Sequence, residues 1–408
     1  MKNILIVNQP TYNRGDESAH KSLVRNLNSK FPKTKITVLF VNTPSDSVDE
    51  MKVESIQNRY VNIDSKIRGT RSVQKWSLRL GIIKLSFLLP LNYAIAKLIQ
   101  KTDLVICAPG GICMGAFQDW SHIYILSLAQ LYKKKVAYYS RSFGPFPVAT
   151  KWNRIFKDKS YGLLNYFDFL SIRDSKTMQL ADEIGLSYIP SIDTALLDTP
   201  KVEIPKELKK LITDKEYIVL VPNSLTWHPA FKNCEIDYLD KFYLRLIKML
   251  LSKYKNVNII MLPQLFNVGD KGDEGYFKKF KRILSDERII VVPEIYSSDI
   301  QQRIISKAKL MIGARYHSVV FAINNEVPFV ALSYEHKILG LLDILNLKGY
   351  MYDIEQMVIN QQALETAIDK IEKIIAISKS ESEAKVKARK IAQSCMDNFL
   401  KRYSPSVK

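Results

Sequence analysis

The residues with most to offer chemically lie in the stretch 311–337, MIGARYHSVVFAINNEVPFVALSYEHK. Arg315 and His317 stand two apart, after an apolar run ending at Ile312 and a Gly313-Ala314 turn. A guanidinium grips oxyanions through a planar fork of donors, and imidazole titrates near neutrality. Tyr334 and Lys337 follow the next apolar run. Together they read as an anion-binding site with a titratable group beside it. An arginine or histidine near a helix start often only bonds backbone or solvent. Here His317 is one of five histidines, and its coincidence with Lys337 favours the functional reading.

Such residues need elements to aim them. The pattern predicts a strand ending at Ile312, a helix over about 316–325, a strand over 328–332 and a helix opening at 334–337. That is a βαβ unit of a parallel sheet, in which ligands bind beyond the carboxyl ends of the strands, near helix N-termini. The theme recurs along the chain. Residues 3–8 read as a first strand, and Asn13-Arg14-Gly15-Asp16 leads into a helix capped by Asp16 and running to about residue 30. Gly15 permits close backbone approach, so this loop is either an anion or sugar cradle or a plain turn with its cap. A strand over 103–108 ends in Pro109-Gly110-Gly111, which is not a G-x-G-x-x-G fingerprint and implies no dinucleotide. Strands over 136–140 and 169–172 end at Arg141 and Arg173-Asp174, and Asp193 closes the half. Arginines placed so serve anions or simply pair with acids.

Residues 43–75 read as an irregular polar excursion with short elements, and 197–215 as a linker. Beyond it, strands over 217–221, 257–262 and 289–292 lead to Asn223, Gln264 and Glu294, with Arg315 closing the fourth. A helix from 298 is expected to begin on a Ser298-Asp299 cap. The expected organisation is α/β: two Rossmann-like, doubly wound domains (1–200 and 215–350) in a GT-B-like arrangement with a cleft between them. Two charged amphipathic helices over 351–408 are expected to pack back across them. On these grounds alone the chain is a two-domain transferase for an anionic donor.

At 408 residues, 47% hydrophobic and 25% charged, the chain can bury two proper cores. Cys107, Cys113, Cys234 and Cys395 show neither metal-ligand spacing nor disulfide density, which fits reduced thiols in the cytoplasm. No metal site or cofactor is read from the sequence. The N-terminus is too short in apolar residues for a signal peptide. Residues 82–99 are apolar but broken by Lys84, Pro90, Asn92 and Lys97, so they are not expected to span a bilayer. Core packing is the preferred reading there over membrane contact. The net charge of +19 calls for an anionic partner, yet no aromatic-interleaved arginine stripe accompanies it, which disfavours nucleic acid. Anionic lipid at the inner face of the membrane, or a charged substrate, stays open.

The order of these pieces resembles the polysaccharide pyruvyl transferase family. The resemblance runs from Asn13-Arg14-Gly15-Asp16 through Pro109-Gly110-Gly111, Arg141-Ser142-Phe143-Gly144-Pro145 and Ser171-Ile172-Arg173-Asp174 to Asp193. It ends in Gly313-Ala314-Arg315-Tyr316-His317, Pro328, Tyr334 and Lys337, its most specific part. The family often has a longer glycine run where this chain has Gly110-Gly111-Ile112-Cys113. The resemblance implies transfer of pyruvate from phosphoenolpyruvate onto two sugar hydroxyls, forming a cyclic ketal, in capsule, exopolysaccharide or cell-wall glycan assembly. It implies a saccharide acceptor and phosphoenolpyruvate as co-substrate; whether that acceptor is lipid-linked stays open. Arg315, Lys337 and one of Arg173 or Arg141 would then hold phosphate and carboxylate, and His317 would be the acid–base group. Asp16 or Asp193 would take the sugar's hydroxyl proton. The rival on the same architecture is a nucleotide-sugar glycosyltransferase using Glu294 on ribose; a second is a non-enzymatic membrane-surface scaffold.

Overall fold

Short, wholly apolar strands such as Leu104–Cys107 and Tyr217–Val221 are buried along their full length, the signature of parallel sheets covered on both faces. The computed structural model describes residues 1–53, 59–65, 67–111, 113–212, 215–225, 231, 237–267, 272–334, 336–355 and 361–404. Two compact units emerge: Met1–Thr11, Ala19–Leu197 and Arg389–Lys408 form the first, Tyr12–Ser18 and Asp198–Ala388 the second.

In the first unit the strands are β1 (Asn3–Val7), β2 (Lys35–Val41), β3 (Arg59–Ile63), β4 (Leu104–Cys107), β5 (Lys135–Tyr138), β6 (Phe169–Ile172) and β7 (Ile189–Pro190). All pair in parallel, in the order β3-β2-β1-β4-β5-β6-β7. The second unit holds β8 (Tyr217–Val221), β9 (Asn258–Met261), β10 (Ile289–Val291), β11 (Leu310–Gly313), β12 (Phe329–Ser333) and β13 (Met351–Asp353). Their order is β10-β9-β8-β11-β12-β13, again all parallel. Each sheet therefore reverses its winding once, at β1/β4 and at β8/β11. Such a switch point opens a crevice at the strands' carboxyl ends. Each unit is a Rossmann-like domain.

The excursion over 43–75 holds short elements, as expected: helix Ser45–Glu50, β3 and the start of helix Thr70–Arg79; β3 is only half-buried at the sheet edge, so its apolar signal is weak. Several other local expectations are corrected. The helix expected to start on Asp16 begins at Arg14, because Asn13 does the capping: its carbonyl accepts from the Glu17 amide at 3.0 Å and its Oδ1 from the Gly15 amide at 2.7 Å. Helix Ser298–Ile305 is capped by Ser297 rather than by Ser298-Asp299. The passage read as a linker carries helix Lys206–Ile212, and residues 213–214 lie outside the described residues. What was read as the start of a helical tail begins with β13, an edge strand too short to carry a pattern; residues 356–360 lie outside the description, as does Ile112 in the glycine turn. Of the two tail helices, Gln361–Ile377 seats Leu364, Ala367 and Ile371 in the second unit's core. In Ser382–Tyr403, Phe399 packs its ring edge-on against Phe31, Tyr139 and Phe169 of the first unit.

Candidate active site

At the second unit's switch point, β8 leads to Asn223 and β11 to Arg315. Arg315 occupies the N-cap position of helix Tyr316–Asn324 in an extended conformation (φ −97°, ψ 129°). This places its side chain ahead of the helix and sets His317 in the first turn, so residues two apart serve one place. Gly313 is required here: a Cβ on it would lie 2.1 Å from Ser318 Oγ, the hydroxyl that donates to the Arg315 carbonyl at 2.6 Å. His317 is buried, its ring edge-on to Tyr316 at 4.9 Å.

Against His317 lies the Asn13-Arg14-Gly15 turn. A Cβ at Gly15 would sit 1.8 Å from His317 Nδ1 and 1.9 Å from Cγ, so only glycine lets the imidazole rest on the backbone. The turn is itself clamped. Arg14 is fully buried, donating to Glu17 Oε2 at 2.8 Å and to the Glu294 carbonyl at 2.5 Å, with its guanidinium 4.0 Å over the Phe266 ring. Its amide donates to the Gln264 carbonyl at 2.8 Å, Asn13 bridges antiparallel to Leu265, and Glu17 Oε1 accepts from the Ser298 amide at 3.1 Å. Residues as far apart in sequence as Gly15 and His317 thus meet at one spot.

Arg315 is paired. Its Nη2 donates to Asp273 Oδ1, while Asp273 Oδ2 accepts the amides of Gln264 at 2.9 Å and Leu265 at 3.1 Å. Burial works hardest against the guanidinium charge, but Asp273 together with Tyr334 and Tyr243 outweighs it and holds the Arg315 pKa above its ordinary value. Arg315 Nε, both polar atoms of the Gln264 side chain and Asn223 Nδ2 are buried without a hydrogen-bond partner among the described residues. Buried polar groups left so need an explanation, and a ligand or water supplying the missing bonds is the usual one. Tyr334 is buried beside the arginine, close enough to bear on its charge, and Lys337 is half-buried in the first turn of helix His336–Leu345. Asp16 is half-buried in the first turn of its helix.

The remaining sequence-derived candidates lie in the first unit. Arg173 and Asp193 close on one another as a buried ion pair, and Asp193 also caps a short turn by accepting from the Ala195 amide at 2.9 Å. Arg141, fully buried, donates to the carbonyls of Ala108 and Asn8 and to Cys113 Sγ at 3.2 Å. Gly110 bridges in parallel to Arg141, and a Cβ on it would meet Pro10 Cγ at 2.9 Å, whereas Gly111 faces open space. A cleft of about 220 Å³ opens at this unit's switch point, lined by Asn8, Gln9, Asn42, Asp119, Ser121 and Arg141 among others.

Asp273 and Glu17 were missed by sequence reading. Their local signal, acids in the first turn of a helix, is that of a helix start; that Asp273 also neutralises an arginine 42 residues away is not written locally.

The family model for polysaccharide pyruvyl transferase matches residues 13–336, from the Asn13 turn to the residue before Lys337. The fold and this match define a Rossmann-like α/β transferase; the chain belongs to the polysaccharide pyruvyl transferase family. It is similar to the amylovoran biosynthesis protein AmsJ of Erwinia amylovora, 22% identical over 394 residues that cover 88% of this chain and 89% of that one. Among solved structures, UDP-GlcNAc 2-epimerase of Methanocaldococcus jannaschii superposes with a TM-score of 0.61 at 12% identity, covering 98% of this chain and 100% of that one. An α,α-trehalose-phosphate synthase of Burkholderia xenovorans reaches 0.54 at 11% identity, covering 98% and 99%. These neighbours have GT-B folds, and at such identities the likeness shows the fold alone. Membership of the family supports a transferase acting in polysaccharide biosynthesis.

Proposed function

We propose that the protein transfers pyruvate from phosphoenolpyruvate onto two hydroxyls of a sugar acceptor, closing a cyclic ketal. The observation that carries this is the junction of Arg315, His317 and Gly15 at the β8/β11 switch point, inside the segment shared with the family. Phosphoenolpyruvate bears a phosphate and a carboxylate, which suits a fixed guanidinium with an unused Nε–H, the Gln264 amide, and Lys337 on the next strand end. His317 would protonate the enol methylene carbon, leaving an oxocarbenium-like centre at C2. A sugar hydroxyl adds there and gives up its proton, which leaves with phosphate as phosphate departs with the C2–O bonding pair; the second hydroxyl then attacks C2 and closes the ketal, its proton returning to His317. Asp16, on the same turn as Gly15, is the proposed acceptor of a hydroxyl proton. The cleft of the first unit, lined in part by Arg141, and the neighbouring Gly110-Gly111 turn are proposed to contact saccharide, and the paired Arg173 and Asp193 are proposed to position it.

Thermal unfolding with phosphoenolpyruvate, with a nucleoside diphosphate, and with neither tests the donor. A ligand at ~100 times its dissociation constant adds ~2.7 kcal/mol of stability, a readily measured shift. The expected result is a shift with phosphoenolpyruvate alone, lost in Arg315→Ala and His317→Ala. A shift with the nucleotide and none with phosphoenolpyruvate would make the chain a glycosyltransferase instead.

A further inference from the structure

Between Asp64 and Asp103 the chain contains eight lysines and arginines and not one acid. Helix Thr70–Arg79, the 3₁₀ turn Ile83–Leu88 and helix Pro90–Gln100 lie in this stretch and pack on one another within the first unit. Their inner faces are already filled. Leu78, Leu91, Ile95 and Ile99 sit in the core, and a buried polar chain ties the three pieces: Gln74 Nε2 donates to Asn92 Oδ1 at 2.8 Å, Asn92 Nδ2 to the Ser86 carbonyl at 3.1 Å, and Ser86 Oγ shares a hydrogen with Tyr124 OH at 2.5 Å.

The outer face is nonetheless apolar. Trp76 is 47% exposed, Leu80 61%, Leu85 60% and Leu88 84%, with Ile82 and Tyr93 also exposed. Val73, Trp76 and Leu80 recur at i, i+3 and i+7 and so share one side of their helix. Exposed Arg68, Arg71, Lys84, Lys97 and Lys101 lie along the same stretch. A contiguous apolar patch on a monomer marks an interaction site. The charge decides with what. A second copy docking across a two-fold axis would bring this stretch, rich in cations and with no acid of its own, against itself. Interfacial tryptophan, leucine and tyrosine flanked by lysine and arginine are what an anionic bilayer surface selects.

We propose that this face is a membrane-docking surface that seats the first unit on anionic lipid without spanning it; among the described residues no helix is long and apolar enough to cross a membrane. Arg71 and Gln74, on the same helix as Trp76, line the first unit's cleft. Docking would therefore hold the cleft at headgroup level, where a glycan carried on a lipid is presented. The surface itself stands independently of the donor assignment, since neither its charge nor its apolar residues contribute to the Arg315 site.

Flotation of the full chain with phosphatidylcholine vesicles, with and without phosphatidylglycerol, tests it. Binding is expected only with phosphatidylglycerol, falling as salt rises. Leu85→Ser/Leu88→Ser, at exposed positions where folding is spared, should lower the partition coefficient at least tenfold; Lys84→Glu/Lys97→Glu should lower it by about fivefold or more per charge at low salt. Absence of wild-type binding, equal binding to neutral vesicles, or binding kept in both variants would each overturn the proposal. So would a wild-type dimer in sedimentation that Leu85→Ser/Leu88→Ser dissolves, which would give the face to a second copy. The unfolding shift with phosphoenolpyruvate should be the same in these variants, so the two readings fail separately.

Discussion

Glycine is demanded at position 15 by an imidazole rather than by a turn. Its missing side chain is the space His317 occupies, so Gly15→Ala must displace the ring. Under the proposed function, steady-state pyruvyl transfer by Gly15→Ala should fall by about 10²-fold, the order that misplacing a reacting group produces, with folding retained. His317→Gln should lose ~10²–10⁴ in rate, the typical contribution of a positioned acid or base. Gly162→Ala, in helix Lys151–Tyr166 and away from both sites, is the control. A Cβ there meets nothing within 4 Å, so its activity should stay near that of the wild type. If Gly15→Ala and Gly162→Ala were equally active, the imidazole's position would be irrelevant to turnover.

At the scale of elements, the Arg315–Asp273 pair couples the end of β11 to the start of helix Asp273–Leu284. Breaking a buried pair by removing one partner commonly costs about 3–5 kcal/mol, because the other charge stays buried without compensation. Asp273→Ala also strips an acceptor from the Gln264 and Leu265 amides. Urea unfolding should show a loss in that range for Asp273→Ala, and a smaller loss for the double variant Asp273→Leu/Arg315→Met, which leaves no orphan charge. A double variant as unstable as the single one would mean that packing around the pair, not its charge, carries the stability.

The whole molecule should be sensitive to acid through buried histidines. His20 is fully buried, with neither ring nitrogen hydrogen-bonded among the described residues, and burial, with Lys21 and Arg25 nearby, lowers its pKa to about 3. Burial and Arg141 also push His122 well below its usual range. In the unfolded chain these imidazoles protonate near pH 6.5. Between about pH 6.5 and 3 the unfolded state therefore binds more protons, so stability must fall as pH falls through that window. His20 alone accounts for roughly 4–5 kcal/mol at the acid end. Urea midpoints measured from pH 7 to 4 should decline, and His20→Phe should flatten the slope relative to the wild type. Parallel slopes would show that the His20 imidazole is protonated in the folded protein as readily as in the unfolded one.

Much of this was legible in the order of residues. Alternating apolar runs and periodic helices place β1, β4 and β8 to β12, because a parallel strand buried on both faces must be apolar throughout. The polar residues that end those runs, Asn223, Gln264 and Arg315, mark the carboxyl edge of the second sheet. Helix caps are less legible: Asn13 and Ser297 displaced neighbours that would serve equally well by type, since only the backbone's path selects among adjacent candidates. Edge strands β3 and β13 are half-buried and short, and so nearly silent. Residue types and their spacing by themselves determined that Arg315 and His317 stand at one strand end, and that residues 65–102 carry cations and no acids. The tertiary structure alone decided that Gly15 lies under His317, that Asp273 rather than a nearer acid neutralises Arg315, that Arg173 spends its charge on Asp193, and which side of residues 73–93 faces outward. Those are pairings across tens to hundreds of residues. They are set when strand order and packing bring surfaces together, and no local propensity encodes them.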